Sequence, residues 1–203
     1  MPEAATVSTP DVAKRDAILR HATDVFADEG FRRTDVQVIA DRAGVGKGTV
    51  YRYFGNKQDL FFAAVYHMLE LLDEQMANAR RGVEGAVAKL RASCLAYARF
   101  YESNPQYLEL SAQDRAEFRG DVPENHVVFH EKMIASFVEV VEDGIETGEL
   151  FPCEPRKTVL ALGGVLHGCV MFDCYAKANA TLTEMVVFAV DAFLGGISAG
   201  GKQ

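Results

Sequence analysis

The sequence predicts an all-α protein of about nine helices, an N-terminal three-helix helix-turn-helix head followed by a larger helical domain. Three observations carry this. Apolar residues recur at helical spacing in segment after segment, Pro and Gly punctuate the starts and ends, and no segment shows β-branched alternation between hairpin turns. With 49% of 203 residues hydrophobic, the chain can bury a full core.

The elements follow in order. Residues 1–8 read as a loose, disordered tail. Thr9 as N-cap and Pro10 at the first helical position start a helix with the apolar row Ile18, Ala22, Val25, Phe26, which stops at Gly30. Thr34-x-x-Gln37 has the form of a capping box and opens a short second helix with Val36, Ile39, Ala40 and Ala43 on one side, ending at Gly44. A third short helix runs through Lys47 to Tyr53. Asn56 then caps a long fourth helix with Leu60, Ala64 and Leu71 among its apolar positions, reaching Arg80 or Arg81. Val87, Leu90, Cys94, Tyr97 and Tyr101 mark a fifth helix, and Asn104-Pro105 closes it and begins a sixth. A loop around Gly120 to Pro123 leads to a seventh, on which His126, Phe129, His130, Met133, Phe137 and Val140 share a face, ending near Gly144 to Gly148. Pro155 and the capping box Thr181-x-x-Glu184 open the last two. These elements divide into a head, 9–56, and a second domain, 57–203.

The net charge of -8 argues against a nucleic-acid partner only on average. Residues 1–57 hold nine Lys or Arg against eight acids, and 58–203 hold twelve against twenty-one. Arg42, Lys47, Arg52 and Lys57 fall within sixteen residues that contain no acid, a local basic patch suited to phosphates, or a solvated helix face. Cys94, Cys153, Cys169 and Cys174 form no C-x-x-C pair and sit in apolar helical patterns, which reads as reduced structural thiols. No run of about 18 apolar residues suggests a membrane span, and the start lacks the basic and apolar regions of a signal peptide, so the expected location is the cytoplasm. No G-x-S-x-G, P-loop or H-E-x-x-H occurs, and nothing points to an enzyme, a catalytic residue or a cofactor. His126 and His130 have the i, i+4 spacing of metal ligands but lack a third, and read as surface or core histidines.

Val36 to Leu60, VQVIADRAGVGKGTVYRYFGNKQDL, is the most informative stretch. Two short helices flank Gly44-Val45-Gly46: Gly44 supplies a left-handed C-cap, Val45 turns inward and Val50 pins the second helix, as in a helix-turn-helix that presents a helix to the major groove. From Ile39 to Leu60 the residues closely resemble the pattern of the tetracycline-repressor (TetR) family, I-A-x-x-A-G-V-[ST]-x-G-T-x-Y-x-[YH]-F followed by x-[NS]-K-x-x-L. Gly30-Phe31 and Thr34 also fit, so the likeness covers about the first 65 residues. Gly46 stands where the family places Ser or Thr, a small departure at an N-cap. Carried over by position, the resemblance implies base-edge contacts from Gln37, Lys47, Gly48 and Tyr51 and phosphate contacts from Thr49, Tyr53 and Lys57. Lys47 can donate to guanine, Gly48 admits close backbone approach, and Tyr51 can cover a thymine methyl. Lys57 and the amides opening the fourth helix suit a phosphate. Gln37 has a second possible role as partner of Thr34, and Tyr53 and Phe54 as core.

The family's second domain diverges in sequence, so the resemblance implies an architecture there. The last two helices would pair with those of a second copy, with Ala161, Gly164 and Gly168 allowing close approach along a nearly uncharged stretch from Thr158 to Met171. A buried central helix in a monomer is the alternative. The family cavity lies among helices four to eight, which nominates His67, Cys94, Tyr97, Tyr101, His130, Met133, Phe137, His167 and Met171 for a small hydrophobic effector. The expected protein is a homodimeric repressor, released from a pseudo-palindromic double-stranded operator by that effector. A constitutive DNA-binding protein would share the head but leaves about 140 further residues without a purpose.

Overall fold

A computed structural model describes residues 9–118, 122–173 and 180–198. The expected tail, the loop glycine Gly120 and Cys174 lie outside the described residues. Nine helices are described: α1 (Thr9–Glu29), α2 (Val36–Arg42), α3 (Lys47–Phe54), α4 (Lys57–Arg80), α5 (Ala86–Ser103), α6 (Pro105–Glu117), α7 (Glu124–Glu146), α8 (Pro155–Asp173) and α9 (Leu182–Ile197). The all-α class read from periodicity is what the chain adopts.

Packing divides the chain into two compact units. One comprises Met1–Leu69 with Glu109–Asp121, the other Glu70–Leu108 with Val122–Gln203. Two helices therefore belong to both: α4 passes from the first to the second at Leu69, and α6 from the second to the first at Glu109.

In the first unit, the predicted row Ile18, Ala22, Val25 and Phe26 is fully buried, joined by Ile39, Ala40, Val50, Leu60 and Phe61. Phe26, Phe31 and Phe61 form an aromatic cluster with Phe118, just beyond α6, whose ring lies 4.9 Å from that of Phe31 and 5.3 Å from that of Phe61. Gln113 of α6 fastens this cluster. Its Nε2 donates to the Phe26 carbonyl at 2.8 Å, and its Oε1 accepts from the Phe31 N–H at 3.0 Å. The Phe26 carbonyl also accepts from the Gly30 N–H at 2.9 Å, and Phe31 lies just beyond the end of α1, so Gln113 ties the last turn of that helix to the chain that leaves it.

In the second unit α5 packs against α7 and α9, and α8 against α7 and α9. Leu162, Leu166 and Val170 of α8 and Leu182, Val186, Val190 and Leu194 of α9 recur every four residues and are buried. The capping box expected at Thr181 and Glu184 is present in both directions. On α7 the outcome differs from the expected face. His126, Phe137, Val141 and Gly144 are buried, but His130 is exposed and Val140 only half-buried. His130 lies near the start of α7, where Val127 and Val128 are exposed as well, so that end is poorly covered within the chain. Further along, Gly144 permits a close approach: a Cβ there would sit 2.6 Å from the Ala86 Cβ and 2.8 Å from Leu150 Cδ1.

Candidate nucleic-acid interface

The turn between α2 and α3 is built by backbone chemistry. Gly44 adopts φ +66°, its N–H donates to the Asp41 carbonyl, and the Val45 N–H donates to the Ala40 carbonyl at 2.9 Å. This pair of bonds is a Schellman ending, and a side chain at Gly44 would strain it. Gly46 is the N-cap of α3 with extended backbone and no capping side chain. Val50 and Phe54 are buried beneath α3, so Phe54 takes the core role, while Gly48 and Tyr51 face outward, Tyr51 at 38% exposure. A Cβ added at Gly48 would meet nothing within 4 Å. Thr49 is half-buried.

The expected capping box at Thr34 is corrected. Asp35 is the N-cap of α2, its Oδ1 accepting from the Gln37 N–H at 2.9 Å. The buried Thr34 hydroxyl donates instead to the Gly30 carbonyl at 2.9 Å, tying the connection to the end of α1. Gln37 is thereby freed of Thr34, and its exposed amide donates to Asp41 Oδ1 at 2.7 Å. Asp35 also accepts from Lys47 Nζ at 2.8 Å. The Gln37 N–H first, and Lys47 second, hold the Asp35 carboxyl below the ordinary carboxylate value, while Asp35 raises the Lys47 ammonium. One carboxylate thus caps α2 and orients the first residue of α3. Asp before the first apolar residue of a helix was the signal for it in the sequence.

The remaining cations of the basic stretch also have partners, some from acids outside that stretch. Arg42 lies 4.0 Å from Asp28, and the Arg52 guanidinium stacks over the Tyr53 ring at 5.5 Å. Tyr53 is half-buried and its hydroxyl donates to Asp11 of α1, which raises the phenol above its ordinary value. Asn56 Oδ1 accepts from the Asp59 N–H at 2.9 Å, capping the start of α4 as its sequence position predicts. Lys57 donates to the Arg32 carbonyl at 3.1 Å and lies over the Phe31 ring at 5.0 Å. Burial lowers its ammonium below the ordinary lysine value.

The nominated sensor residues are placed unevenly. In the second unit Cys94, Tyr101 and Phe137 are buried, Tyr97, Met133, His167 and Met171 half-buried, and His130 exposed; His67, half-buried, belongs to the first unit. The Tyr97 and Tyr101 rings meet edge to face at 5.1 Å. Burial pushes the Cys94 thiol up to about 12, so it persists as an inert thiol. Sequence reasoning passed over Arg80, whose guanidinium lies 4.6 Å over the Phe137 ring.

The outer sides of α8 and α9 are apolar and open. Phe188 is 73% exposed, Leu160 49% and Met185 41%. Ala161 and Gly164 are exposed and Gly168 half-buried; a Cβ at either glycine would touch nothing within 4 Å. No described helix is long and apolar enough to cross a membrane.

A family model for bacterial regulatory proteins of the tetR family matches residues 18–64. YhgD, an uncharacterised HTH-type transcriptional regulator of Bacillus subtilis (strain 168), is 26% identical over 152 residues, 74% of this chain and 79% of YhgD. The HTH-type transcriptional repressor KstR2 of Mycolicibacterium smegmatis is 26% identical over 149 residues, 72% of either chain. The solved structure of the transcriptional regulator FadR from Bacillus subtilis in complex with stearoyl-CoA shares the fold, with a TM-score of 0.76 at 20% identity over 93% of this chain and 99% of FadR.

An exposed short helix on a buried base, following a glycine-closed turn, defines a helix-turn-helix DNA-binding protein. Its motif residues and its two-unit helical build narrow the class. Residues 18–64 are a DNA-binding head of the tetR family, and the chain is similar over about three quarters of its length to HTH-type transcriptional regulators.

Proposed function

We propose that the protein is a cytoplasmic homodimeric repressor that reads a pseudo-palindromic operator with two copies of α3 and is released by a small hydrophobic effector. The outward presentation of Gly48 and Tyr51 above the buried Val50 and Phe54, with the half-buried Lys47 held by Asp35 at the start of the same helix, carries this reading. Lys47 and Tyr51 would read base edges, with Gln37 alongside, while Thr49, Tyr53 and Lys57 would meet phosphates. For Tyr53 this means contacting DNA while held by Asp11, or exchanging that partner.

Dimerisation is typical of the family, and the open apolar side of α8 and α9 supports it here. A Phe at 73% exposure beside Met185 is better covered than left in water. The second domain, taken from residue 57 onward, would hold the effector among Tyr97, Tyr101, Met133 and Phe137. Relatives support a sensing role, FadR having been solved with stearoyl-CoA. Helices α4 and α6 each contribute residues to both compact units, which offers a covalent route for coupling.

The test is binding to the DNA beside the protein's own gene by fluorescence anisotropy. Lys47→Ala and Tyr51→Ala should each lose about 5- to 150-fold in affinity and relax sequence preference while remaining folded dimers. Unchanged affinity in both refutes the reading head. A panel of hydrophobic compounds then tests gating: operator and compound must weaken one another by the same factor. Equal affinities of an identified compound for free and operator-bound protein would make this a constitutive binder.

A further inference from the structure

Two polar atoms in the second unit are sealed from solvent without a hydrogen-bond partner, Nη1 of Arg80 and Oδ1 of Asp73. Both residues are on α4, seven apart, so they share one face of that helix with Cα atoms about 10 Å apart along its axis. The face between them is anchored. Met76 is buried and its carbonyl accepts from the fully buried Ser93 hydroxyl of α5, and Arg80 Nη2 donates to Ser136 Oγ of α7 at 3.1 Å with its guanidinium over Phe137. Neither Arg80 nor Asp73 forms an ion pair among the described residues. Both side chains are half-buried overall, but a polar atom sealed without a partner forfeits its hydration. A guanidinium N–H beside Phe137 and a carboxylate oxygen, each sealed without a partner two turns apart on α4, are complementary to a molecule with an apolar body and two polar ends.

We propose that Arg80 and Asp73 are the polar ends of the effector site, and that the effector is an apolar molecule bearing a carboxylate for Arg80 and a hydroxyl for Asp73. This rests on the effector-gated reading above. A carboxylate fits better than a phosphate: one guanidinium balances one negative charge, and a dianion would be left facing Asp73 on the same side of α4. The hydroxyl is the neutral donor that the Asp73 oxygen lacks.

The experiment titrates 10-hydroxydecanoic acid, decanoic acid and decan-1-ol into the full-length protein by calorimetry, with melting temperatures for each variant. The wild-type protein should bind the hydroxy acid most tightly and the alcohol least. Arg80→Met keeps an unbranched apolar stem over Phe137 and should bring both acids down to the alcohol, a loss of tenfold or more, with the melting temperature little changed because the lost Ser136 and Phe137 contacts are offset by removal of a sealed, unpartnered N–H. Asp73→Leu should abolish the advantage of the hydroxy acid over decanoic acid and nothing else. A lowered melting temperature in Arg80→Met together with undiminished acid binding overturns the proposal and makes Arg80 a structural cation. Equal binding of acid and alcohol by the wild-type protein overturns it too, while leaving hydrophobic sensing intact. If none of the three binds, the proposal is overturned, and the compound panel with operator decides the broader reading independently.

Discussion

Removing the Lys57 ammonium should weaken operator binding in a way that salt reveals. Lys57 is the first residue of α4 and is held in place before DNA arrives, by the Arg32 carbonyl at 3.1 Å and the face of Phe31 at 5.0 Å. A cation fixed at the positive end of a helix gives a phosphate a site that needs no ordering of a long side chain. Each phosphate neutralised on duplex DNA contributes about 0.9 to the slope of log affinity against log salt, so one Lys57 in each of two protomers contributes about 1.8. Lys57→Ala should flatten the slope by that amount, and its deficit relative to wild type should shrink about 12-fold between 50 and 200 mM salt. The deficit should be the same on operator and on unrelated duplex, since phosphates carry no sequence. Anisotropy titrations at four salt concentrations on both DNAs measure this. An unchanged slope, or a loss confined to operator, would show that Lys57 does not meet a phosphate and that its bonds to Arg32 and Phe31 serve the fold alone.

Three further outcomes are expected. Gly144→Ala places a methyl 2.6 Å from the Ala86 Cβ and should lower stability by about 1–3 kcal/mol, or about 2–12 °C in calorimetry, with Ala86→Gly restoring part of the loss; an unchanged melting temperature would mean α5 and α7 are not held at this spacing. Phe188→Glu should convert the dimer to monomer or aggregate in light scattering and abolish binding to a two-half-site operator, and a wild-type protein that is itself monomeric at micromolar concentration refutes the covered-face argument. Because Asp35 is held below its ordinary value, its contribution is complete above that value and fades only as pH falls through the lowered one. An NMR titration should find its midpoint depressed, and partly restored but still depressed in Lys47→Ala, since the larger cause is the Gln37 N–H. A midpoint at the ordinary value in wild type would remove the cap.

The reading head was legible because its signals are local. Gly44 ends a helix, Val50 sits under the next, and both facts follow from neighbours within a few residues. Thr34 and Asp35 show where such reasoning stops, since two adjacent residues could each cap α2, and the choice fell to Asp35 because the Thr34 hydroxyl returns to the Gly30 carbonyl. His130 lies on the apolar side of α7 by periodicity, yet burial depends on what lies opposite, which periodicity does not report. Arg80 and Asp73 were invisible for a related reason. Charged residues on a long helix read as solvated, and that Arg80 Nη1 and Asp73 Oδ1 are sealed shows only in the packed structure.

The Gln113 fastening bears on synthesis. The first unit is discontinuous in the chain, and its aromatic cluster is completed by Phe118, while Gln113 joins the Phe26 carbonyl and the Phe31 amide across 87 and 82 residues. Pairings so distant in sequence close late, because loop entropy is spent before they form. As the ribosome delivers the chain from its N-terminus, α1 to α3 can form early, but Phe31 and Phe61 wait for α6 before one side of their cluster is covered. A fragment ending at Leu69 would carry the motif with that aromatic surface exposed. An isolated reading head suited to binding studies would therefore need Glu109 to Phe118 joined back to it, by a linker or by circular permutation, rather than a stop codon after α4's first half.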